Sequence, residues 1–153
     1  MKIKLAVAGV AIMLLFGGCD NQLEVRDRAF VQGAAIEYDD GYTVRLKLFD
    51  NEGFYDGKGK TFEEAVKNAG LSHGKDVFTG HTEIVVIRKN ESDAILDSLV
   101  NEDISTGCIV VFDEDPVKYV EENDTEELVD IISGRERNGT EQKKSIRRII
   151  NDR

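Results

Sequence analysis

Tryptophan is missing from this 153-residue chain, proline occurs once, and cysteine and histidine occur twice each. So few cysteines and histidines leave no Cys/His cluster of the kind that binds zinc. The sequence also has no serine in a nucleophile elbow and no glycine-rich loop that could cradle a phosphate. A single proline, with no long Ser/Gly-rich stretch, gives no sign of an interdomain linker. We therefore expect no cofactor, and catalysis finds little support.

One long apolar run is present, and it lies at the amino terminus. Lys2 and Lys4 form a short positive region, and residues 5–16 are apolar, interrupted only by Gly9. The run is shorter than the ~20 residues that a membrane-spanning helix needs. This layout is typical of a secretory signal peptide, which we place at residues 1–18.

The small pair Gly17-Gly18 in front of Cys19 resembles a lipobox, in which the cysteine is acylated before the signal peptide is cleaved. Cys19 is therefore the predicted lipidation site, and residues 19–28 are a lipidated N-terminus and lead-in. An ordinary signal peptide with a cysteine nearby is the alternative. Two or three acyl chains would anchor the protein, whereas a single chain binds membrane only marginally. With Cys19 acylated, Cys108 has no disulfide partner, and its apolar surroundings in the sequence favour a packed thiol.

The mature chain is strongly acidic. Loss of Lys2 and Lys4 with the signal peptide leaves 18 of the 20 Lys and Arg against 30 Asp and Glu, a net charge of −12. Nucleic acid and anionic lipid headgroups repel such a body. We therefore expect no nucleic-acid partner, and membrane attachment through the lipid anchor.

Residues 29–153 suit one compact domain. The turn sequence Asp39-Asp40-Gly41 joins two strand patterns and predicts a hairpin, whose second strand alternates apolar and polar residues with one wet face. Thr61 and Glu64 form a capping box at the start of a helix. We expect strands at residues 30–37, 42–49, 80–88 and 107–112, helices at 62–70, 92–100, from 116, at 125–133 and 140–151, and an exposed loop at 51–60.

The apolar stretches at residues 84–87 and 107–112 are hydrophobic on both faces, which is typical of central strands that are covered on both sides. Helices alternate with these strands along the chain. The predicted fold is therefore a single α+β domain with a mixed β-sheet of at least four strands flanked by helices.

His81 follows Gly80 at the start of the first of these buried strands. Glu83 lies two residues further on and points to the same face, so a metal pair or an acid–base pair is conceivable. No third ligand has suitable spacing, and we interpret His81 and Gly80 as structural, with His81 hydrogen-bonding to hold the strand end. No residue is assigned as catalytic or as a metal ligand. His73, in a polar loop, is expected to be solvated.

The C-terminal segment differs from the rest of the chain in the sign of its charge. Residues 135–153 contain seven Lys and Arg against three Asp and Glu, a local net charge of +4. Lys143, Lys144, Arg147 and Arg148 form a possible docking face for an acidic partner or the membrane. A solvated helix face held down by its isoleucines is the alternative.

Two blocks, residues 19–37 and residues 61–87, carry a resemblance to a known family. The first joins the lipidated cysteine to an acidic and arginine-containing lead-in and a first strand; the second places Phe78-Thr79-Gly80-His81 before a hydrophobic strand. Together they resemble the N-terminal domain of the Ger(x)C family, the C subunits of spore germinant receptors. The family's tryptophan after the cysteine is absent, and Glu37 stands where the family has Asp. Family members are more than twice this length.

The resemblance implies an N-terminal domain on the outer face of the cytoplasmic membrane, which is the inner membrane in the spore. It also implies integral-membrane germinant receptor subunits as partners and no catalytic activity. We therefore expect a non-enzymatic, membrane-anchored lipoprotein that serves as a receptor subunit in spore germination. The alternative is a small exported, lipid-anchored ligand-binding or hydrolytic domain with His81 near its site.

Overall fold

The computed structural model describes residues 28–49, 53–102, 104–140 and 144–151. Within them, helices cover a six-stranded mixed sheet, which confirms the predicted α+β class. The predicted signal peptide, Cys19 and the lead-in up to residue 27 lie outside the described residues. Among the helices of the described ranges, none is long and apolar enough to cross a membrane.

Three strands come first in the described part of the chain and three helices come last, with strands and helices interspersed between them. The strands are β1 (Arg28–Tyr38), β2 (Tyr42–Leu48), β3 (Phe54–Gly59), β4 (Asp76–Phe78), β5 (Ile84–Ile87) and β6 (Ile109–Phe112). The helices are α1 (Phe62–Leu71), α2 (Ser92–Leu99), α3 (Pro116–Glu122), α4 (Thr125–Arg137) and α5 (Ile146–Asn151).

The strands lie in the order β3-β2-β1-β5-β6, and β4 pairs with the first residues of β1. β2 is antiparallel to both of its neighbours, whereas β4 and β5 are parallel to β1, and β6 is parallel to β5. The first residues of β1, β4, β5, β6 and β3 and the last residue of β2 therefore lie at one end of the sheet. We call this the amino end and the opposite one the carboxyl end.

The predicted hairpin is confirmed as β1 and β2, whose register runs from Tyr38 opposite Tyr42 down to Val31 opposite Leu48. Asp40 and Gly41 in the turn have φ angles of 55° and 150°. Both angles are positive, a region that Gly adopts freely and Asp tolerates better than most residues. The Asp-Gly pair therefore determines where the chain reverses.

Alternate residues of the central strands enter two cores on opposite faces of the sheet. Ala34 and Ile36 of β1 belong to the larger core, which packs against α1 and α2, whereas Ala35 joins a smaller core with Val86 of β5 and Val120 of α3. Each fully buried aliphatic side chain contributes about 1.5–3 kcal/mol of transfer free energy. Cys108 is 1% exposed in the larger core, so the interpretation of a packed thiol is confirmed.

The capping box at the start of α1 is also confirmed. The Thr61 hydroxyl oxygen accepts a hydrogen bond from the Glu64 amide at 3.1 Å. The Glu64 carboxylate in turn accepts from the amide of Lys60 at 2.8 Å, one residue earlier than in the usual reciprocal pair. The first bond satisfies one of the amides that the first turn of a helix leaves without partners, and the second fixes the chain just before the N-cap.

The prediction of an exposed loop at residues 51–60 is wrong, because Phe54–Gly59 forms β3 and pairs with β2. Its glycines serve close packing instead of a turn. A Cβ atom on Gly57 would lie 2.0 Å from the carbonyl oxygen of Ala65, and one on Gly59 would lie 2.5 Å from the amide nitrogen of the same residue. Gly57 and Gly59 thus let α1 lie directly on the strand.

The expectation that β6 is a central strand is also wrong, because β6 is the last strand in the sheet order. Ile109 and Val110 are nevertheless buried. The outer edge of β6 is partly covered by the chain before α5, where the Val110 amide donates to the carbonyl of Lys144 at 2.7 Å. A bridge between Ile109 and Ser145 adds to this cover.

Both C-terminal helices differ from their predicted lengths. The last helix begins at Ile146 instead of residue 140, because the residues before it pair with β6. The preceding helix α4 does not end at residue 133 but continues through Gly134 to Arg137. Gly134 is tolerated there because a helical glycine costs only about 1 kcal/mol relative to alanine.

Candidate docking surfaces

Gly80 and His81 lie in a tight turn at the amino end, just before β5. The Thr82 amide and hydroxyl both donate to the carbonyl of Thr79, at 2.9 and 2.7 Å. The His81 ring is exposed and lies edge-on to Phe78, with ring centroids 5.3 Å apart. Phe30 completes an aromatic cluster, 5.7 Å from Phe78 and 6.3 Å from His81.

Gly80 leaves room for the ring of Phe78 in this aromatic cluster. A Cβ atom at Gly80 would lie 2.6 Å from Cζ of Phe78, well inside van der Waals contact. The absence of a side chain therefore allows the Phe78 ring to fold over the turn. No special backbone angle is involved.

The structure gives His81 and Glu83 different partners. The Glu83 carboxylate accepts a hydrogen bond from the side-chain amide of Gln32 at 3.2 Å, and the backbone of Glu83 pairs with both β1 and β6. His81 is held by ring contacts, where we had expected hydrogen bonds. In the described ranges, no group of three or more His, Cys, Asp or Glu residues could hold a metal ion. The structural role of His81 stays a prediction.

His73 is exposed, as expected, but its ring has a partner. It stacks face to face on Tyr55 of β3, with centroids 3.8 Å apart and planes at 1°. Tyr55 itself is buried. His73 therefore covers one edge of the larger core.

Residues 144–147 of the basic C-terminal segment lie along the outer edge of β6. Lys144 and Arg147 are exposed and Arg148 is half-buried, whereas Lys143 lies outside the described residues. Ile146 is 2% exposed and reaches the larger core. The amides of Ile146 and Arg147 donate to the carbonyls of Cys108 and Thr106, at 3.1 and 3.0 Å. Backbone pairing and Ile146 together hold the segment in place.

The basic side chains contact groups on neighbouring elements. The Lys144 ammonium lies 5.3 Å from the centroid of the Phe112 ring, within the range of a cation–π contact. An Arg147 Nη atom donates to the hydroxyl of Thr106 at 3.2 Å, and Arg148 forms an ion pair with Glu136 at 3.3 Å. The arginines share the wall of a cavity of about 630 Å³ with Ser105, Thr106, Gly107, Glu136, Ser145 and Asn151.

Sequence reasoning missed an ion cluster around Arg45 of β2. The Arg45 guanidinium forms a bidentate pair with Asp56, at 2.6 and 2.7 Å, and a second ion pair with Glu121 of α3. The hydrogen bonds from Arg45 hold the pKa of Asp56 below its usual value, although burial of the carboxylate opposes this shift. The face of β2 that we expected to be exposed to solvent is therefore partly covered by α3, through the contact of Glu121 with Arg45. Arg45 and Asp56 lie on neighbouring strands, so their pairing can be predicted only after residues 54–59 are recognised as a strand.

A second ion cluster lies at the carboxyl end, around Arg88. Its guanidinium pairs with Glu37 at 2.6 Å and with Glu91 at 2.8 Å, and Nε donates to the carbonyl of Glu114 at 3.0 Å. The hydrogen bond to Glu91 contributes most to raising the pKa of Arg88 above its usual value. Glu91 also accepts from the amide of Tyr38 at 2.9 Å. This cluster ties the ends of β1 and β5 to the loop after β6.

The comparisons with known proteins agree with the resemblance noted in the sequence. The family model described as the N-terminal domain of spore germination proteins matches residues 21–153. The chain therefore belongs to the family of spore germination protein N-terminal domains. No curated protein and no solved structure matches the sequence.

Proposed function

We propose that this protein is a non-enzymatic, lipid-anchored subunit of a spore germinant receptor. The family match over residues 21–153 carries the proposal. The lipobox-like sequence supports removal of residues 1–18, acylation of Cys19 and a domain at residues 29–153 on the outer face of the membrane. Confinement to the membrane plane raises the effective concentration of the domain toward integral-membrane receptor subunits.

The basic C-terminal segment is the proposed docking face for these partners. Lys143, Lys144, Arg147 and Arg148 lie within six residues of the sequence, in a chain whose mature net charge is −12, since 18 Lys and Arg stand against 30 Asp and Glu. Exposure of Lys144 and Arg147 supports this role. An acidic segment of an integral-membrane subunit is the partner chemistry that these basic residues would attract.

The alternative, an exported ligand-binding or hydrolytic domain with His81 near its site, has less support. The described contacts of His81 are with Phe30 and Phe78, and the carboxylate of Glu83 is hydrogen-bonded to Gln32. This arrangement does not assemble an acid–base pair, which favours the receptor-subunit proposal.

The lipid anchor is tested by Cys19→Ala in cells fed radiolabelled palmitate. We expect no label in the variant, unprocessed precursor and loss of membrane attachment. Cys108→Ala is the matched control, because Cys108 is the other cysteine and is buried; it should be labelled like the wild type. Label in the Cys19→Ala protein would contradict the anchor.

The docking face is tested by reversing the charge at Lys143, Lys144, Arg147 and Arg148 together and co-purifying membrane proteins from sporulating cells. We expect a large loss of captured receptor subunits. Lys144 and Arg147 are exposed, and exposed substitutions usually change stability by about 0.5 kcal/mol each; reversal of Arg148 also removes its ion pair with Glu136, so urea denaturation of the variant checks that it still folds. A control with the same change of net charge reverses four exposed lysines elsewhere, Lys58, Lys60, Lys67 and Lys89. Wild-type capture by the first variant would place the docking face elsewhere.

A further inference from the structure

Exposed apolar side chains concentrate at the amino end of the sheet. Five large hydrophobic side chains are exposed in the described residues, and three of them lie there: Phe54 (37%), Leu71 (65%) and Val100 (46%). Phe54 begins β3 opposite Lys47, next to the last residue of β2. Leu71 ends α1 shortly before β4 begins. Tyr38, another of the five, lies at the carboxyl end.

Leu71 and the residues after Val100 belong to one continuous surface. Leu71 shares a cavity of about 790 Å³ with Asn101 and Glu102, which directly follow Val100. The aromatic cluster of Phe30, Phe78 and His81 lies at the same end, because it surrounds the starts of β1 and β5. Phe30 and Phe78 are half-buried beside the exposed His81 ring, and Leu71 and Val100 are exposed. Apolar side chains left accessible at one end of a domain mark a contact surface more often than isolated ones do.

The chain enters the domain at this same end. Arg28 is the first residue of β1 and pairs with Asp76, the first residue of β4. Cys19 precedes Arg28 by nine residues, a length that can span at most about 30 Å. The 11 residues of β1 then lead away from that point, over about 35 Å. An acylated Cys19 therefore keeps Arg28 within about 30 Å of the bilayer, whereas the carboxyl end is free to lie further away.

We propose that the amino end rests on the bilayer surface, with Leu71, Val100 and the aromatic cluster of Phe30, Phe78 and His81 in the interfacial region. The proposal rests on the lipid anchor proposed above, which supplies the attachment. Apolar contact of this size is too small to bind membrane by itself, but it orients a domain that two or three acyl chains already hold there. The basic segment on the edge of β6 would then lie close to integral-membrane partners.

The absence of tryptophan from the chain allows a direct test. A single reporter is introduced as Leu71→Trp at the amino end or as Tyr38→Trp at the carboxyl end, both at exposed positions. The full lipidated chain is reconstituted into vesicles of phosphatidylcholine with brominated acyl chains and a minority of phosphatidylglycerol. We expect a blue shift and loss of emission for Leu71→Trp, whereas Tyr38→Trp keeps the emission that it has in vesicles without bromine.

Flotation of the same samples separates the two proposals. If the chains fail to float with the vesicles, the lipid anchor itself is wrong, and the orientation proposal falls with it. If they float but Leu71→Trp is quenched no more than Tyr38→Trp, the anchor stands and the orientation proposal is overturned. Val100→Trp is a second reporter at the amino end, which decides the matter should Leu71→Trp fail to fold.

Discussion

Replacing Gly57 with alanine tests how closely α1 approaches β3. A Cβ atom at position 57 lies 2.0 Å from the carbonyl oxygen of Ala65 and 2.7 Å from the amide nitrogen of Ala69. Ordinary van der Waals contact begins near 3.4 Å, so the helix would have to retreat by about 1.4 Å. Because both obstructing atoms belong to the helix backbone, no change of rotamer relieves the clash. Retreat would also loosen Ala65 and Ala69, which are fully buried.

Overpacking a core usually costs about 1–3 kcal/mol, and we expect Gly57→Ala to reach the upper end, about 3 kcal/mol. Urea denaturation of the purified protein measures this loss as a lower midpoint with an unchanged slope. Gly134→Ala is the matched control, because Gly134 lies in helix α4 and its Cβ would meet nothing within 4 Å. That variant should gain about 0.5–1 kcal/mol.

Opposite signs for the same chemical change would show that packing, and not loss of glycine as such, governs position 57. A Gly57→Ala variant within about 0.5 kcal/mol of the wild type, the usual range for a surface substitution, would refute the close contact between α1 and β3. A loss of stability in Gly134→Ala would equally contradict the reasoning, because the helix offers the new methyl group open space.

The remaining predictions concern the aromatic cluster and the ion cluster on β2. Gly80→Ala should lower the free energy of unfolding by about 1–2 kcal/mol, because its Cβ would displace the Phe78 ring; an unchanged urea midpoint would contradict this. His81→Ala should lower it by only about 0.5 kcal/mol since the ring is exposed, and thermal unfolding should show His81→Phe close to the wild type. Asp56→Asn should remove a stabilisation below about 1 kcal/mol, because the Asp56 side chain is 58% exposed. Arg45 lowers the pKa of Asp56 in the folded state. The stabilisation is therefore full above the usual pKa of 3.8 and is lost as pH falls through the lower pKa of the folded state. If the difference between the urea midpoints of the wild type and Asp56→Asn does not shrink below pH 3.8, the assignment is contradicted.

The local signals of the sequence were sufficient for much of the fold. Apolar and polar alternation located β2, the Asp-Gly turn located the reversal before it, and Thr61 with Glu64 located the start of α1. Each signal acts within a few residues, because strand periodicity, turn angles and helix capping depend on near neighbours. The resemblance of residues 19–37 and 61–87 to the Ger(x)C family likewise depended only on the order of short motifs, and the family match agrees with it.

The candidate surfaces depended more on contacts between distant residues. Gly80 and His81 could be located at the start of a buried strand, but the Phe30 contact joins positions about 50 residues apart. The basic residues Lys144, Arg147 and Arg148 could be identified from charge alone. Their place along β6 follows from backbone pairing that leaves no periodic pattern in the sequence.

The sequence by itself therefore determined the α+β class, the hairpin, the buried strands and the sign of the charge on each segment, because all of these follow from composition and short-range pattern. Only the tertiary structure decided that Phe54–Gly59 is a strand, since its glycines are explained by the helix that lies on them. It also decided that β6 is an edge strand. A strand that is buried on both faces appears in the sequence as a hydrophobic run. The run is the same whether the outer edge of the strand is covered by another strand or by a returning segment of the chain, so the sequence alone could not show that β6 is an edge strand.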